Sequence, residues 1–200
     1  MPSGLWAPRS IDETMKLYAG WAATYEADVG AAGYATPARI AAALAAHLRD
    51  PAAPILDFGC GTGLSGVALA AEGFEVIDGT DISPEMLARS AEKGIYRTLM
   101  PGQPDHLPDA TPYAAVTACG VISLGAAPAD TLAGLLSRMR SGTLLAFSFN
   151  DATLVSPPYM TALAEVQTAG LARLLWAQYG PHLPEKEGAR GSTVHILQRP

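Results

Sequence analysis

The sequence predicts an α/β domain: a mostly parallel seven-stranded sheet with helices on both faces and an antiparallel hairpin at its C-terminal end. Three observations predict it. Short apolar runs alternate with segments of helical periodicity from Ile55 to Phe149, the pattern of strands covered on both faces by their connecting helices. The first run ends in a glycine-rich turn, Gly59 to Gly63, that opens directly into a helix. The last two strand-like stretches, 171–179 and 193–198, have no helix between them, so they pair antiparallel.

Each element has its own signal. Ser10 followed by Glu13 has the form of a capping box, and Ile11, Met15, Tyr18, Ala22, Tyr25 and Val29 share one stripe, predicting a first helix over 11–29. Thr36-Pro37 reads as an N-cap with proline at the first helical position, and Ile40, Leu44 and Leu48 give that second helix its apolar face until Asp50-Pro51 stops it. Residues 1–50 are thus expected as a helical cap and 51–200 as the core of a single domain. Ile55 to Phe58 is the first strand, and Leu64 to Glu72 the next helix, with Gly73 as its C-terminal cap. Phe74 to Thr80 follows as a strand, then a helix begun by Ser83-Pro84-Glu85 and ended by Gly94. Ile95 to Met100, Tyr113 to Gly120 and Thr143 to Phe149 complete the parallel strands. Asp130 to Arg140 is a helix with Leu132, Leu135, Leu136 and Met139 facing inward, and Tyr159, Leu163 and Val166 mark another that closes at Gly170.

Composition narrows the function. Charged residues are 16% of the chain against about 25% in an average protein, so its 200 residues enclose a large core. The net charge of -6, without any basic run, disfavours nucleic acid and points to small molecules. Cys60 and Cys119 lie far apart in apolar stretches and the four histidines are scattered, so no metal site is expected and a reducing, cytoplasmic setting fits. The start MPSGLWAPRS has no signal-peptide pattern. Ala110 to Ala129 is free of charge, but Pro112, Gly120, Gly125 and Pro128 make it a buried strand with its loops rather than a membrane span, and no membrane partner is expected.

The site is expected beyond the carboxyl ends of the strands. There the first loop reads Asp57-Phe58-Gly59-Cys60-Gly61-Thr62-Gly63; alternate glycines leave bare backbone, and the helix behind them presents free N–H groups. Asp81, eighteen residues past Gly63 at the end of the second strand, can accept hydrogen bonds from a ribose diol. Gly61-Thr62-Gly63-Leu64-Ser65-Gly66 also matches the dinucleotide pattern GxGxxG, which keeps an NAD-dependent oxidoreductase as an alternative. Against it, Gly59-Cys60 intervene before that pattern, and the acid Asp57 stands where such a strand ends apolar.

Asp57 to Gly63 resembles the first motif of class I S-adenosylmethionine-dependent methyltransferases, acidic-x-Gly-x-Gly-x-Gly, and GTDISPEML, from Gly79 to Leu87, resembles their second. Tyr18 to Val29 and Ser141 to Asp151 are similar to the methyltransferase-like proteins of the Williams–Beuren syndrome region group. The resemblance implies a Rossmann-like fold and S-adenosylmethionine as cofactor. Asp57 would receive its ammonium, directly or through water; Gly59, Cys60, Gly61 and Gly63 would pack on its methionine portion; Asp81 would hold the ribose, and Ile82 and Met86 would lie against the adenine. The chain departs from the pattern at Gly102-Gln103-Pro104, where Gly-Asp-Leu is common: the Gln103 amide can still accept a bond from the adenine amino group, whereas Pro104 has no N–H to give. Leu124 stands where relatives often carry histidine, and Tyr113-Ala114 replaces Tyr-Asp.

Methyl transfer from a sulfonium expels a neutral thioether, so alignment carries much of the catalysis, and a base is needed only where the acceptor must lose a proton. No catalytic residue is therefore assigned. Cys119 to Ser123 and Asn150 are placed to line the methyl-facing cavity, with a buried thiol and a turn cap as their ordinary uses. Trp21 and Tyr25, with Tyr18, read either as an aromatic lid over the cofactor or as core. His106 falls near the cavity, and Tyr159 and Trp176 suit an acceptor-side wall. The expected function is methylation of a small-molecule acceptor with release of S-adenosylhomocysteine, by a monomer or weak homodimer. A non-catalytic cofactor-binding module is the second alternative.

Overall fold

The computed structural model describes residues 1–2, 4–7, 9–186 and 190–200. In chain order the helices are α1 (Ile11–Trp21), α2 (Tyr25–Ala31), α3 (Thr36–His47), α4 (Leu64–Ala71), α5 (Pro84–Ala91), α6 (Thr131–Ser137), α7 (Asp151–Leu154) and α8 (Pro157–Thr168). The strands are β1 (Ile55–Phe58), β2 (Ile77–Asp81), β3 (Thr98–Pro101), β4 (Ala115–Ala118), β5 (Leu144–Asn150), β6 (Arg173–Pro181) and β7 (Gly191–Gln198). They form one sheet in the order β3-β2-β1-β4-β5-β7-β6, with β7 antiparallel to both of its neighbours and every other pairing parallel. The chain winds outward from β1 in one direction and from β4 in the other, so the loops after these two strands part and leave a crevice.

Strand alternation divides the core into two layers. Leu56, Val116, Leu145, Phe147 and Leu197 point to one side and pack with Leu132, Leu135 and Leu136 of α6 and Leu163 and Val166 of α8. Ile55, Ala115, Leu144, Ala146 and Ile196 point to the other, against Ile40 and Leu44 of α3 and Leu69 of α4. Helix α3 therefore covers the sheet rather than the site, and the segment before it overhangs the crevice.

Several boundaries differ from the sequence expectation. The helix expected over 11–29 is two helices, because a turn at 22–24 interrupts it. Trp21 Nε1 and Thr24 Oγ1 both donate to Asp28 Oδ2, at 2.6 and 3.3 Å, and these bonds tie α2 to the end of α1 and the turn between them. The Ser10–Glu13 box starts α1 as expected. Thr36 does not cap α3; Ala35 occupies that position, and the Thr36 hydroxyl is drawn instead to His182 Nδ1 at 2.7 Å and Ser192 Oγ at 3.1 Å. β2 begins at Ile77 rather than Phe74, whose N–H closes the preceding helix onto the Leu69 carbonyl. α7 is an unanticipated turn of helix, capped by the Asn150 side chain accepting from Thr153 N–H at 3.0 Å. Among the described residues, no helix is long and apolar enough to cross a membrane.

Candidate active site

A cavity of about 800 Å³ fills the crevice at the ends of β1, β2 and β4. Its floor is the turn after β1. Gly59 and Cys60 both donate their N–H to the Thr80 carbonyl, at 2.8 and 3.0 Å, which ties the turn to β2. The glycines serve different ends. A Cβ on Gly59 (φ +68°) would collide with Val121, so this residue lets the β1 and β4 loops touch; Gly61 (φ +55°) faces open space, where a ligand can meet bare backbone. Gly63 lies off the cavity wall, as the left-handed N-cap of α4, closely packed on Ser90, Lys93 and Tyr96.

Asp81 borders the cavity. Its Oδ2 accepts the Gly61 N–H at 2.8 Å and its Oδ1 the Ser83 N–H at 2.9 Å, so the carboxylate joins the glycine turn to the start of α5. Burial pushes this carboxyl above its ordinary value, and the backbone donors oppose that rise. One N–H per oxygen leaves lone pairs for a diol. Ile82 and the buried Met86 continue the same wall, and Gln103 stands exposed on the rim beside Pro104 and His106. The rim is tight: His106 N–H closes onto the Gln103 carbonyl at 3.2 Å, with Asp105 between them at φ +59°.

Asp57 is placed differently from its expectation. It is 1% exposed and does not border the cavity. Its carboxylate accepts hydroxyls from Ser65 (2.6 Å), Tyr96 (2.8 Å) and Thr117 (2.8 Å), so it anchors the turn from beneath rather than presenting an oxygen to the ammonium. Burial raises this carboxyl and the three hydroxyls lower it. Cys60 also lies beneath the turn, its buried thiol 3.8 Å from Ser90 Oγ, and only its backbone serves the loop.

The roof comes from the N-terminal segment: Arg9, Ile11, Thr14, Met15, Tyr18 and Tyr25 line the cavity. Trp21 does not, because its indole donates to Asp28 and packs with Val29, Ala32 and Leu183. It backs the two tyrosines, with ring centroids 6.1 Å from Tyr18 and 4.7 Å from Tyr25. Cys119 is on the wall, 3.4 Å from the Tyr34 hydroxyl, and burial pushes its thiol up to about 12. Tyr159 is there too, donating to the Ala127 carbonyl at 3.1 Å. Trp176 is not: it lies with the α3 side of the sheet, 6.4 Å from the His47 ring. Ser123 and Asn150 line only a small neighbouring recess of about 50 Å³. Arg9 and Thr14 escape sequence reasoning, for they precede the motifs and acquire a role only when the chain folds over the crevice. Among the described residues, no cluster of three metal-ligating side chains occurs.

A doubly wound sheet with a bare turn at its first strand and an acid at the end of its second defines an α/β domain for a nucleoside-bearing cofactor. The cavity fits an adenosyl group in particular: Gly61 leaves open space, Asp81 keeps lone pairs beside it, and Ile82 and Met86 give an apolar face. Known proteins narrow the class. A family model described as a methyltransferase domain matches residues 55–142. Human methyltransferase-like protein 27 is 33% identical over 128 residues, 61% of this chain and 52% of that protein. The 18S rRNA (guanine(1575)-N(7))-methyltransferase of Saccharomyces cerevisiae is 50% identical over 51 residues, 26% of this chain and 18% of that one. Magnesium protoporphyrin IX methyltransferase from Synechocystis PCC 6803, solved with bound SAH, shares the fold with a TM-score of 0.67 at 18% identity, over 88% of this chain and 87% of that one. These likenesses support a class I S-adenosylmethionine-dependent methyltransferase, the class whose cofactor is S-adenosylmethionine. The chain spans about half the length of its human relative.

Proposed function

We propose that the chain methylates a small-molecule acceptor and releases S-adenosylhomocysteine. One observation carries the reading: the cavity that begins at Gly61 and Asp81 continues to an apolar wall formed by Met15, Val121, Leu124 and Tyr159, under a roof of the chain's own N-terminal helices. Such a roofed compartment suits a small body, and among the described residues Arg9 and His106 are its only basic side chains, which disfavours a polyanion.

When bound, S-adenosylmethionine supplies an electrophilic methyl group on a sulfonium. The chain's part is to hold and to enclose. Asp81 would accept the ribose hydroxyls, Ile82 and Met86 would bear on the adenine with Gln103 at its edge, and the Gly59 to Gly61 backbone would take the methionine portion. Asp57, with its three hydroxyl donors, fixes that turn from below. Tyr18 and Tyr25 exclude water from above. Burial raises the Tyr18, Tyr25 and Tyr34 phenols and the Cys119 thiol, so none of these is a ready base at neutral pH, and positioning is the catalytic device that the geometry offers.

The test is incubation with methyl-labelled S-adenosylmethionine and a cell extract separated into metabolite, RNA and protein fractions. Label in a metabolite is expected. Label confined to RNA or protein overturns the small-molecule acceptor, and stabilisation by NAD but not by S-adenosylhomocysteine overturns the activity.

A further inference from the structure

Among the described residues Arg9 is the one guanidinium on the cavity wall, and it is half used. Its Nη2 donates to the Gly4 and Leu5 carbonyls, at 2.7 and 2.6 Å, which holds the side chain in place. Its Nη1 is buried and has no hydrogen-bond partner among the described residues. A charged donor removed from water in this way is costly unless something accepts from it. No described Asp or Glu forms an ion pair with Arg9. Glu13, which feels its charge, has its carboxylate engaged by the Ser10 N–H and hydroxyl, each at 2.8 Å. Asp105 and Asp130 are exposed cavity residues, and Asp81 is engaged by Gly61 and Ser83.

The position of Arg9 assigns it to the acceptor's side of the cavity. A Cβ on Gly125 would come within 3.0 Å of Arg9 Nη2 and would collide with the Leu5 carbonyl, so the N-terminal segment is seated on the loop after β4. Leu124, in that same loop, belongs to the apolar wall. The glycine turn follows β1, and Asp81 ends β2.

We propose that Arg9 determines acceptor specificity, and that the acceptor is a small monocarboxylic acid whose carboxylate takes the unpaired Nη1 while its apolar body lies on the wall of Ile11, Met15, Val121, Leu124 and Tyr159. This rests on the methyl-transfer reading above and adds the acceptor's chemical class. A single available nitrogen matches one carboxylate; a phosphate dianion would ask for more donors than the wall has, beside the acids Asp105 and Asp130. Sequence alone gives no sign of this, because Arg9 becomes a cavity residue only through its two bonds to the Gly4 and Leu5 backbone.

The test uses the full chain loaded with S-adenosylhomocysteine and a panel of small aromatic and aliphatic monocarboxylic acids, each paired with its primary amide. Binding is read by saturation-transfer NMR and calorimetry. The best-bound acids should exceed their amides by about tenfold or more, the scale of a charged hydrogen bond. Arg9→Gln should erase that difference, Arg9→Lys should restore part of it, and affinity for S-adenosylhomocysteine should stay within about twofold in both. The acid-against-amide comparison on the unaltered chain stands whether or not the variants fold. Amides binding as well as acids, or no acid binding to the loaded chain, overturns the proposal. So does an Arg9→Gln variant that loses S-adenosylhomocysteine while keeping 5′-methylthioadenosine, which would put the cofactor's own carboxylate on Arg9. Failure of the unaltered chain to bind S-adenosylhomocysteine at all overturns the methyl-transfer reading instead.

Discussion

Asp57 and Asp81 stand near the ends of adjacent parallel strands, within one acid-and-glycine signature, and the fold treats them in opposite ways. Asp57 is sealed by three side-chain hydroxyls, drawn from 8, 39 and 60 residues away in the chain. Asp81 is held by two backbone N–H groups and keeps a face on the cavity. Side-chain hydroxyls make a carboxylate part of the structure that supplies them, since each becomes an orphan when the acid is removed. Backbone donors at a turn orient a carboxylate and leave it free to bind. Two acids that read alike in sequence thus differ: one is built into the support of the turn, and the other keeps a face on the cavity.

Removal of Asp57 should have the largest effect. Asp57→Ala leaves the Ser65, Tyr96 and Thr117 hydroxyls buried without an acceptor, and the unfolding free energy should fall by about 3 kcal/mol or more in urea denaturation. A variant of full stability whose only defect is in cofactor binding would break the contrast between the acids.

The pH of that comparison matters, because two histidines titrate beneath it. Burial holds His182 and His195 at about 4, against about 6.5 for the unfolded chain. Between these values the unfolded chain takes up protons that the folded chain refuses. Stability is therefore fully present above about pH 6.5 and is lost as pH falls toward 4, by roughly 2–3 kcal/mol for each histidine. Asp57 and Asp81 run the other way: burial raises their carboxyls, so their contribution falls as pH rises from the ordinary carboxylate range toward the raised values. A pH series of urea denaturations should show the histidine loss as the dominant slope. His195→Phe should flatten it by about half, since this ring already stacks on Phe147 at 4.8 Å and its Nδ1 has no partner among the described residues. The acids are best compared above pH 7.

At that pH Asp81→Asn should leave most of the stability and weaken S-adenosylhomocysteine by about 10- to 100-fold in calorimetry, or 1–3 kcal/mol. An amide has one acceptor oxygen where the carboxylate has two, so either the Gly61 or the Ser83 N–H loses its partner and the ribose loses a charged acceptor. Unchanged affinity in a folded Asp81→Asn protein would remove Asp81 from the cofactor's side of the site.

Local signals made the fold legible. The Ser10–Glu13 box, proline at the start of α5, the left-handed Gly73, Gly94 and Gly170 that end helices, and the two-sided apolar strands each report a backbone state that only a few residue types satisfy. The motif glycines and Asp81 were legible for the same reason. What could not be read depends on partners remote in sequence. The hydroxyl cage of Asp57 needs Thr117, the roof needs α1 laid over the crevice, and Thr36 leaves its capping position for a His182 that is 146 residues away. Trp21 reads as lid or core while 11–29 is one helix that sets it a turn from Tyr25; the turn at 22–24 removes that premise, and the indole packs behind the tyrosines.

Trp21 and Tyr25 repeat the contrast on a smaller scale. Both are aromatic and in edge contact, yet only Tyr25 meets the cavity, whereas Trp21 spends its indole N–H on Asp28, which also accepts from Thr24 and lies 3.4 Å from the amino terminus. Trp21→Phe keeps a ring behind Tyr18 and Tyr25 and loses that one bond. It should cost about 1 kcal/mol in denaturation, with affinity for S-adenosylhomocysteine within about twofold of the unaltered chain. Tyr25→Phe keeps its wall position and should likewise bind the cofactor normally, because a buried ring that excludes water acts through its face rather than its hydroxyl. A Trp21→Phe protein of full stability that binds the cofactor tenfold more weakly would move the indole from the support of the roof to the roof itself.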